Sequence, residues 1–498
     1  MNVNPITRLD YPDPDVIRVE DTYYMVSTTM HFMPGCEILQ SFDLVHWEHA
    51  TYVYETLDHT DAQQLKSGQN IYGQGMWAAS LRYHEGRFCI CFVANDTRKT
   101  YLYTSEKIDG PWKKQLIEGF YHDGSLLFDE DGRNYIVYGN DEIWITELNE
   151  DLTAPKKGGL HRLLVSDHKN PELGYEGSHI QKINGYYYIF LVHSLRDRWM
   201  RTEACFYSDS LEGEFTGGDV LCDDRGYCGQ GVAQGGIVDT PDGKWYAMLF
   251  QDSGAVGRIP ILLPVTWKDH FPFFGQNGHV PEEIEVHSTR PGYIYQPLVG
   301  SDDFCNGLLP RWQFNHDPDP RYYHLDALQG TYTITTREVC TELTQAVNTL
   351  TQRMSYPSCA AEVTVDASAL KEGDVAGLCA LQSCYAAVGI TKHHGKYEVL
   401  MLDKKEDGIL DMTERTVVES HQMDFRLEAD FCNMKDEARC YYRVNKGDWL
   451  PIGTVHKLYF KLDHFTGCRF GLFCYAAEET GGSACFRDFK YYDVDEIS

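Results

Sequence analysis

The sequence predicts an all-β protein in which a five-bladed β-propeller is followed by a β-sandwich. Five short segments within the first 250 residues place an acidic or amide residue, usually followed by Gly, between an apolar run and an aromatic run. Asn-Gly and Asp-Gly accept the positive φ that tight turns need, so each segment predicts a β-hairpin. The chain also contains 33 Tyr, 23 Phe and 9 Trp, and aromatic residues favour strands.

The spacing of the five turns predicts the blades of the propeller. The turns centre on Asp21, Glu85, Asp131, Asn184 and Asp242. They recur at intervals of roughly 45–65 residues, and about four short strands fit into each interval, as in blades that surround a central channel. Five such units predict a five-bladed propeller over residues 1–295.

The residue eight positions before each turn is the one that could carry chemistry. These residues are Asp13, Trp77, Asp123, Glu176 and Gln234. Equivalent positions in the blades of a propeller converge on one axis. The pattern therefore predicts a pocket lined by three carboxylic acids and one amide, with a large aromatic side chain as a stacking platform.

The repeat stops near residue 295, and a second domain is predicted over residues 296–498. Runs at 331–335, 361–365 and 470–474 have no helical period and read as short strands. Several short strands spread over about 200 residues are typical of a β-sandwich. No low-complexity tract separates the two parts, so we expect them to pack together.

Composition limits the partners of this chain. A net charge of −30 argues against nucleic acid and anionic membranes, because like charges repel. No stretch approaches the roughly 18 consecutive apolar residues of a membrane helix. The first residues lack the basic and apolar segments of a leader, and the 16 cysteines include no CxxC pair. We therefore expect a cytoplasmic protein with reduced thiols, and self-association is left open.

The three acids indicate glycosidic bond cleavage. That reaction takes two carboxyls, one to protonate the departing oxygen and one to activate water or attack the sugar. A third acid can tune and orient the proton donor through the repulsion of like charges. No clustered His and Cys ligands suggest catalytic zinc, and no glycine-rich phosphate loop occurs.

The segments around these acids resemble the family 43 glycoside hydrolases. The sequence reads Tyr-Pro-Asp-Pro-Asp at 11–15, His-Asp-Gly-Ser-Leu-Leu-Phe at 122–128 and Tyr-Glu-Gly-Ser-His-Ile at 175–180. Further matches are Asn-Pro-Ile at 4–6, Gly-Met-Trp-Ala at 75–78, and the fifth-blade segments 257–258 and 263–267. Segments 312–318 and 348–353 are similar to the appended concanavalin A-like sandwich of the β-xylosidase branch.

This resemblance implies an exo-acting, inverting hydrolase that releases terminal xylose and/or arabinofuranose from xylo- or arabino-oligosaccharides. Residue by residue, it makes Asp13 the general base, Glu176 the general acid and Asp123 the pKa modulator of that acid. Inversion requires the base and acid to stand roughly 6.5–9.5 Å apart, with one water between them.

The resemblance also implies substrate contacts around the acids. Trp77 would form a pocket wall that stacks on the sugar, and Arg258 would point at sugar hydroxyls. His31 and Phe32 fall where relatives place an aromatic rim. Gln234 stands where many members carry a histidine tied to a buried calcium or water site. An amide oxygen can bind calcium but cannot replace imidazole in every role. We therefore expect no required cofactor and no catalytic metal, and leave calcium at the propeller axis open.

Other interpretations of the same residues remain at this point. Asp13 between two prolines, and Asp123 before a glycine, are also typical of turns, and Trp77 could be a core aromatic. A retaining, fructosidase-like propeller would use similar acids, but its Asn-Asp-Pro-Asn and Arg-Asp-Pro motifs are missing. A non-catalytic glycan-binding propeller is the alternative from another class, and the presence of all three acids favours catalysis.

Overall fold

The computed structural model of the protein describes residues 2–493, and their regular structure is β-strand apart from four short 3₁₀ turns. These turns are Lys66–Gly68, Gly254–Val256, Leu343–Gln345 and Cys432–Met434. The all-β prediction is confirmed. Among the described residues, none of the helical segments has the length and apolar character needed to span a bilayer.

Five four-stranded antiparallel sheets form the propeller. The strands of this region are β1 (Asn2–Val3), β2 (Asp15–Val19), β3 (Thr22–Ser27), β4 (Phe32–Met33), β5 (Gly35–Ser41), β6 (Glu48–Tyr54), β7 (Ser80–His84), β8 (Arg87–Ala94), β9 (Lys99–Ser105), β10 (Lys113–Ile117), β11 (Ser125–Phe128), β12 (Asn134–Asn140), β13 (Glu142–Leu148), β14 (His161–Ser166), β15 (Glu176–Ile183), β16 (Tyr186–Ser194), β17 (Arg201–Ser208), β18 (Thr216–Leu221), β19 (Ala233–Asp239), β20 (Trp245–Asp252), β21 (Arg258–Lys268), β22 (Phe271–Phe274) and β23 (Glu283–Ile284). The blades have the orders β2-β3-β5-β6, β7-β8-β9-β10, β11-β12-β13-β14, β15-β16-β17-β18 and β19-β20-β21-β22. The five-bladed prediction is confirmed.

The first strand of each blade is the innermost one. These five strands contact one another in a closed ring, β2 to β7, β11, β15, β19 and back to β2. Each first strand turns into the second through a predicted hairpin, as at Asn184-Gly185, where both residues have positive φ. The residue eight positions before each of these turns consequently lies within three residues of the start of an innermost strand.

One arginine ties the ring together beneath these positions. Arg82 of β7 donates to Asp15 Oδ2 at 2.7 Å and to Ser125 Oγ at 2.8 Å. It also donates to the carbonyl of Ile180 at 3.2 Å. His179 Nδ1 lies 3.1 Å from the other oxygen of Asp15. Four blades are therefore held in register around the axis by buried, charge-assisted hydrogen bonds.

Two larger antiparallel sheets form the predicted sandwich. Its strands are β24 (Gln313–Asn315), β25 (Tyr323–Asp326), β26 (Thr331–Thr335), β27 (Leu350–Arg353), β28 (Ser358–Asp366), β29 (Val375–Leu381), β30 (Ala386–His393), β31 (Lys396–Lys404), β32 (Leu410–Val418), β33 (Gln422–Asp430), β34 (Glu437–Arg443), β35 (Leu450–Lys457), β36 (Arg469–Tyr475) and β37 (Ser483–Asp493). The sheet orders are β32-β31-β30-β29-β36-β27-β24-β4 and β25-β26-β37-β28-β33-β34-β35. A single apolar core fills the space between them.

The two domains share structure across their boundary. Strand β4 leaves the first blade and pairs with β24, with Met33 opposite Phe314 and Phe32 opposite Asn315. Arg353 of the sandwich forms a buried 2.8 Å ion pair with Glu37 of the first blade. The division at residue 295 stays a prediction, and the sandwich sheet includes one strand from the propeller side of it.

Candidate active site

A cavity of about 370 Å³ opens at one end of the ring of innermost strands. Its lining includes all five residues of the shared repeat position, namely Asp13, Trp77, Asp123, Glu176 and Gln234. The remaining lining residues are Gly73, Ala78, His122, Asn140, Arg201, Arg258, Leu462 and Phe465. The structure therefore brings together the three predicted acids, the aromatic platform, the amide and the predicted arginine.

Asp13 is a buried carboxylate with a fixed positive partner. Its backbone has a φ of 53°, which turns the chain into β2 and directs the side chain into the cavity. Arg258 donates from Nη1 to Asp13 Oδ1 at 2.9 Å, and Thr28 Oγ1 donates to Oδ2 at 2.6 Å. Both ends of the carboxylate are thus oriented, and a guanidinium compensates its charge.

Asp123 is equally enclosed but lies among other acids. The backbone N–H of Gly177 donates to its Oδ2 at 3.0 Å. Burial raises the pKa of Asp123 to about 6; the nearby His122 opposes this shift, and the carboxylates of Glu176 and Asp13 add to it. The position of Gly177 has a φ of +66°, and a Cβ there would lie 2.8 Å from Gln234 Cγ, so glycine keeps this contact possible.

Glu176 is the most accessible of the three acids. Its side chain is 21% exposed, against 6% for Asp13 and 7% for Asp123. Asn140 at the end of β12 donates from Nδ2 to Glu176 Oε2 at 2.6 Å. An accessible carboxyl can reach a leaving group that remains outside the cavity, whereas Asp13 is enclosed.

The sandwich domain closes one side of the cavity. The loop at 458–468, between β35 and β36, brings Leu462 and Phe465 into the lining. The Phe465 ring lies 5.6 Å from the Trp77 ring and 4.5 Å from the guanidinium carbon of Arg258, centroid distances that indicate contact. Aromatic side chains from two domains therefore form one wall.

Sequence reasoning missed four polar or aromatic members of the site. His122 carried a local signal, since it directly precedes Asp123, whereas Asn140 is the last residue of β12, a place to which no repeat position pointed. Arg201 forms an ion pair with Asp252 in the next blade, and no repeat position pointed to it. Phe465 lies outside the propeller repeat altogether, so repeat position alone could not identify it.

His31 and Phe32, predicted at an aromatic rim, do not line the cavity. His31 is fully buried, with its ring 4.3 Å from that of Phe32 and 4.8 Å from that of His316. Phe32 lies under the guanidinium of Arg469 at 3.5 Å. Both residues lie away from the cavity because β4 pairs with a strand of the sandwich sheet, which places them in the contact between the domains.

One group of side chains among residues 2–493 has the spacing of metal ligands. The ligand atoms of His122, Asp123 and Glu176 lie within 4.8 Å of one another. A metal-binding imidazole must be neutral, but Asp123 raises the pKa of His122 to about 9, against the opposing effect of burial. The imidazolium is then the counter-ion of the two acids, and we assign the trio no metal.

The surroundings of Gln234 do not fit a calcium ion. Calcium takes ionised carboxylates and other oxygen ligands. The carboxyl beside Gln234 is Glu203, which accepts the backbone N–H of Gln234 at 2.7 Å. Burial raises the pKa of Glu203 well above its ordinary value, which disfavours the ionised form that calcium takes. No step of the mechanism is therefore derived through calcium.

Comparison with known proteins gives the same architecture. Residues 3–272 match Glycosyl hydrolases family 43, and residues 301–492 match the Beta xylosidase C-terminal Concanavalin A-like domain. A β-xylosidase of Formosa agariphila is 27% identical over 99% of this chain and 89% of its own length. A non-reducing end α-L-arabinofuranosidase of Bacteroides ovatus is 24% identical over 82% of this chain and 79% of its own length.

A solved structure from Bacteroides eggerthii, titled bifunctional GH43-CE, is 42% identical with a TM-score of 0.93. It matches all of this chain, which spans 64% of the length of that larger protein. The match to the family covers more than half of the 498 residues and includes every blade of the propeller. The chain is therefore a glycoside hydrolase and belongs to glycosyl hydrolase family 43.

Proposed function

We propose that this enzyme is an exo-acting, inverting hydrolase that releases terminal xylose and/or arabinofuranose from xylo- or arabino-oligosaccharides. The observation that carries the proposal is the meeting of Asp13, Asp123 and Glu176 in one cavity, each with different partners. An inverting enzyme needs one carboxylate that activates water and one carboxylic acid that protonates the leaving group.

The partners of each acid support a distinct role. Asp13 is the general base, because its contact with Arg258 gives it a positive partner and orients it toward an attacking water. Glu176 is the general acid, because it is the carboxyl nearest the open end. Asp123 tunes this acid by its charge and anchors the segment that carries it through the N–H of Gly177. A separation of roughly 6.5–9.5 Å between base and acid would leave room for the water.

The closed shape of the cavity supports exo action. Its volume of about 370 Å³ is near the lower end of the roughly 300–1,000 Å³ found for small-molecule sites. Phe465 and Leu462 block one side, where an endo-acting enzyme would need an open groove for a continuing glycan. A terminal sugar would enter this pocket with Trp77 against its ring.

The two relatives support pentoses as substrates. One is named a β-xylosidase and the other an α-L-arabinofuranosidase. Xylopyranose and arabinofuranose present similar hydroxyl patterns, so a single pocket with Arg258 and Gln234 as polar groups can accept both.

We also propose a cytoplasmic location, supported by the sixteen cysteines, all of which are free. Disulfides form and persist in oxidising compartments and are rare in the cytosol. Self-association, which the sequence leaves open, can be measured by light scattering of the purified chain.

A release assay tests the function directly. The purified enzyme is given an aryl β-xyloside, an aryl α-arabinofuranoside and arabinan fragments, with and without a chelator. We expect hydrolysis of at least one aryl pentoside, unchanged by the chelator, and NMR of the first product should reveal inversion at the anomeric carbon. Retention of configuration would reject the mechanism.

The variant Asp13→Asn should lower kcat at least about 100-fold, because general base catalysis typically contributes 10²–10⁴-fold. The matched control is Asp131→Asn, which alters an acid in an exposed hairpin turn. A protein that only binds glycans would have no activity to lose, and equal activity of both variants would remove Asp13 from the mechanism.

A further inference from the structure

We propose that His122 stores the proton with which Glu176 is recharged between turnovers. This inference rests on the proposed role of Glu176 as general acid and extends it. An inverting enzyme ends each turnover with its acid ionised and its base protonated, so it must return a proton to the acid before the next substrate can react.

The imidazole of His122 lies at the same distance from two of the three acids. His122 Nε2 lies 3.5 Å from Glu176 Oε2 and 3.5 Å from Asp123 Oδ2. Both distances exceed those of a well-formed hydrogen bond, and within residues 2–493 no other group holds this buried nitrogen. The Trp77 ring, with its centroid 5.9 Å from that of His122, packs edge-to-face against it. A small movement can therefore bring the N–H to either carboxyl.

The positive groups that line the cavity differ in whether they already have a partner. Two guanidinium groups line the cavity, and each already forms an ion pair. Arg258 pairs with Asp13, and Arg201 pairs with Asp252. His122 is left as the cation that faces the acid pair. Asp123 is the largest contribution that raises the pKa of His122 to about 9, with Glu176 and Asp13 adding to it and burial opposing it. The imidazole thus carries a proton at neutral pH.

Apart from Arg201, Arg258 and the three acids, the residues that line the cavity with His122 carry no charge. Strand β12 contributes the neutral Asn140. The sandwich loop presents Leu462 and Phe465, while its charged residues Lys461 and Asp463 lie 3.9 Å from each other. The protonation of His122 is therefore governed by the acids of the site itself.

Substrate binding supplies the reason for the proton to move. In the free enzyme water solvates the partly exposed Glu176, which favours the ion pair of carboxylate and imidazolium. A sugar in the cavity displaces this water. Because burial disfavours charged forms of both groups, the neutral pair becomes more favourable, with the proton on Glu176.

The proton count balances over one turnover. The Glu176 hydroxyl gives its proton to the glycosidic oxygen as the bond from that oxygen to the anomeric carbon breaks. Water forms the new bond to this carbon and gives a proton to Asp13. After the products leave, Asp13 releases its proton to solvent and His122 takes one up from solvent, so that His122 Nε2 can pass a proton to Glu176 when the next substrate binds. One water is consumed, and no net proton is gained or lost.

The test compares two leaving groups in the variant His122→Gln, which keeps a polar side chain that cannot carry the proton. A dinitrophenyl pentoside leaves without protonation, whereas a pentose disaccharide needs it. We expect kcat on the disaccharide to fall about 10–100-fold above pH 7, within the range of proton-transfer catalysis. We expect less than about a threefold change on the aryl substrate, and a basic limb of kcat/KM displaced to lower pH. His84→Gln, in the neighbouring blade, is the matched control.

The outcomes separate this inference from the proposed function. If the unaltered enzyme cleaves neither substrate, the proposed function fails. If Glu176→Gln shows the dependence on leaving group and His122→Gln does not, only the role of His122 is overturned. An equal loss on both substrates with an unmoved basic limb also overturns it. Should the variant not fold, NMR titration of the unaltered enzyme decides the matter, since an imidazole that loses its proton near pH 9 supports the store and one that is neutral at pH 7 refutes it.

Discussion

Asp13 contacts a guanidinium and a hydroxyl, whereas Glu176 contacts an amide and lies beside an imidazole. The two acids occupy equivalent places in different blades, so the fold alone would make them alike. Their neighbours make them different, since Asp13 is paired with a guanidinium, whereas Glu176 lies beside an imidazole and another carboxyl. Burial, with Glu176 and Asp13 adding to it, raises the pKa of that neighbouring carboxyl, Asp123, to about 6.

Replacing Arg258 tests the pairing with Asp13. The variant Arg258→Met leaves a buried carboxylate without its counter-ion, which is costly because nothing else compensates the charge. With Asp13 no longer held in its ion pair, kcat/KM on an aryl pentoside should fall at least about 100-fold. Arg258→Lys retains the charge and should recover part of the loss. Equal activity of Met and Lys variants would contradict the ion-pair argument.

The acids could be predicted from sequence because they recur at one repeat position in a regular fold. Their partners could be predicted only in part. Arg258 was predicted from a family resemblance, whereas His122 was not predicted as a site residue although it is next to a predicted acid. His31 and Phe32 were assigned to the rim because their neighbours in sequence belong to the first blade. Their actual environment depends on Phe314, almost 300 residues later in the chain.

At the scale of elements, the loop at 458–468 controls the shape of the cavity. Its far end is fixed to the propeller, where the N–H of Gly467 donates to Asp10 Oδ2 at 2.8 Å and the N–H of Cys468 to the Ala255 carbonyl at 2.8 Å. The ring of His464 stacks on Tyr72 at a centroid distance of 3.8 Å. The five blades followed from local turn chemistry, but this closure depends on contacts between distant segments, which periodicity does not encode.

The glycine that faces this loop provides a test of closure. A Cβ at Gly73 would lie 2.8 Å from the carbonyl oxygens of Leu462 and Asp463, so Gly73→Ala should push the loop outward. We expect KM for a pentose disaccharide to rise, by about 10-fold if one packed contact of about 1.4 kcal/mol is lost. Gly68→Ala is the control, because its φ is also positive but open space surrounds it. Similar kinetics for both variants would indicate backbone strain instead.

At the scale of the whole molecule, three buried histidines lie where the domains meet. His31 belongs to the propeller, and His316 and His464 belong to the sandwich. Their rings cluster with Tyr72, and His316 Nε2 accepts the backbone N–H of Ile71 at 3.0 Å. Burial lowers the pKa of His316 to about 3 and also lowers those of His31 and His464. The contact between the two domains in the folded protein therefore favours the neutral form of these three imidazoles.

This cluster predicts a loss of stability in mild acid. Below the ordinary histidine pKa of 6.5 the unfolded chain binds protons that the folded chain refuses, so stability decreases as pH falls from about 6.5 toward 3. We expect Tm to drop between pH 7.5 and 5. His316→Gln, whose amide oxygen can accept the Ile71 N–H without titrating, should reduce the drop. A Tm profile identical to that of the unaltered protein would refute the assignment.

Strand β4 has a consequence for recombining this enzyme with its relatives. A hybrid joined at residue 295 would set the Phe32–Met33 strand of one parent beside the β24 of another. The edge of the larger sandwich sheet, and the packing of Phe32 under Arg469, would then mix residues that were never selected together. A transplanted C-terminal module should therefore bring residues 30–36 of its own parent with it, although they lie in the opposite half of the gene.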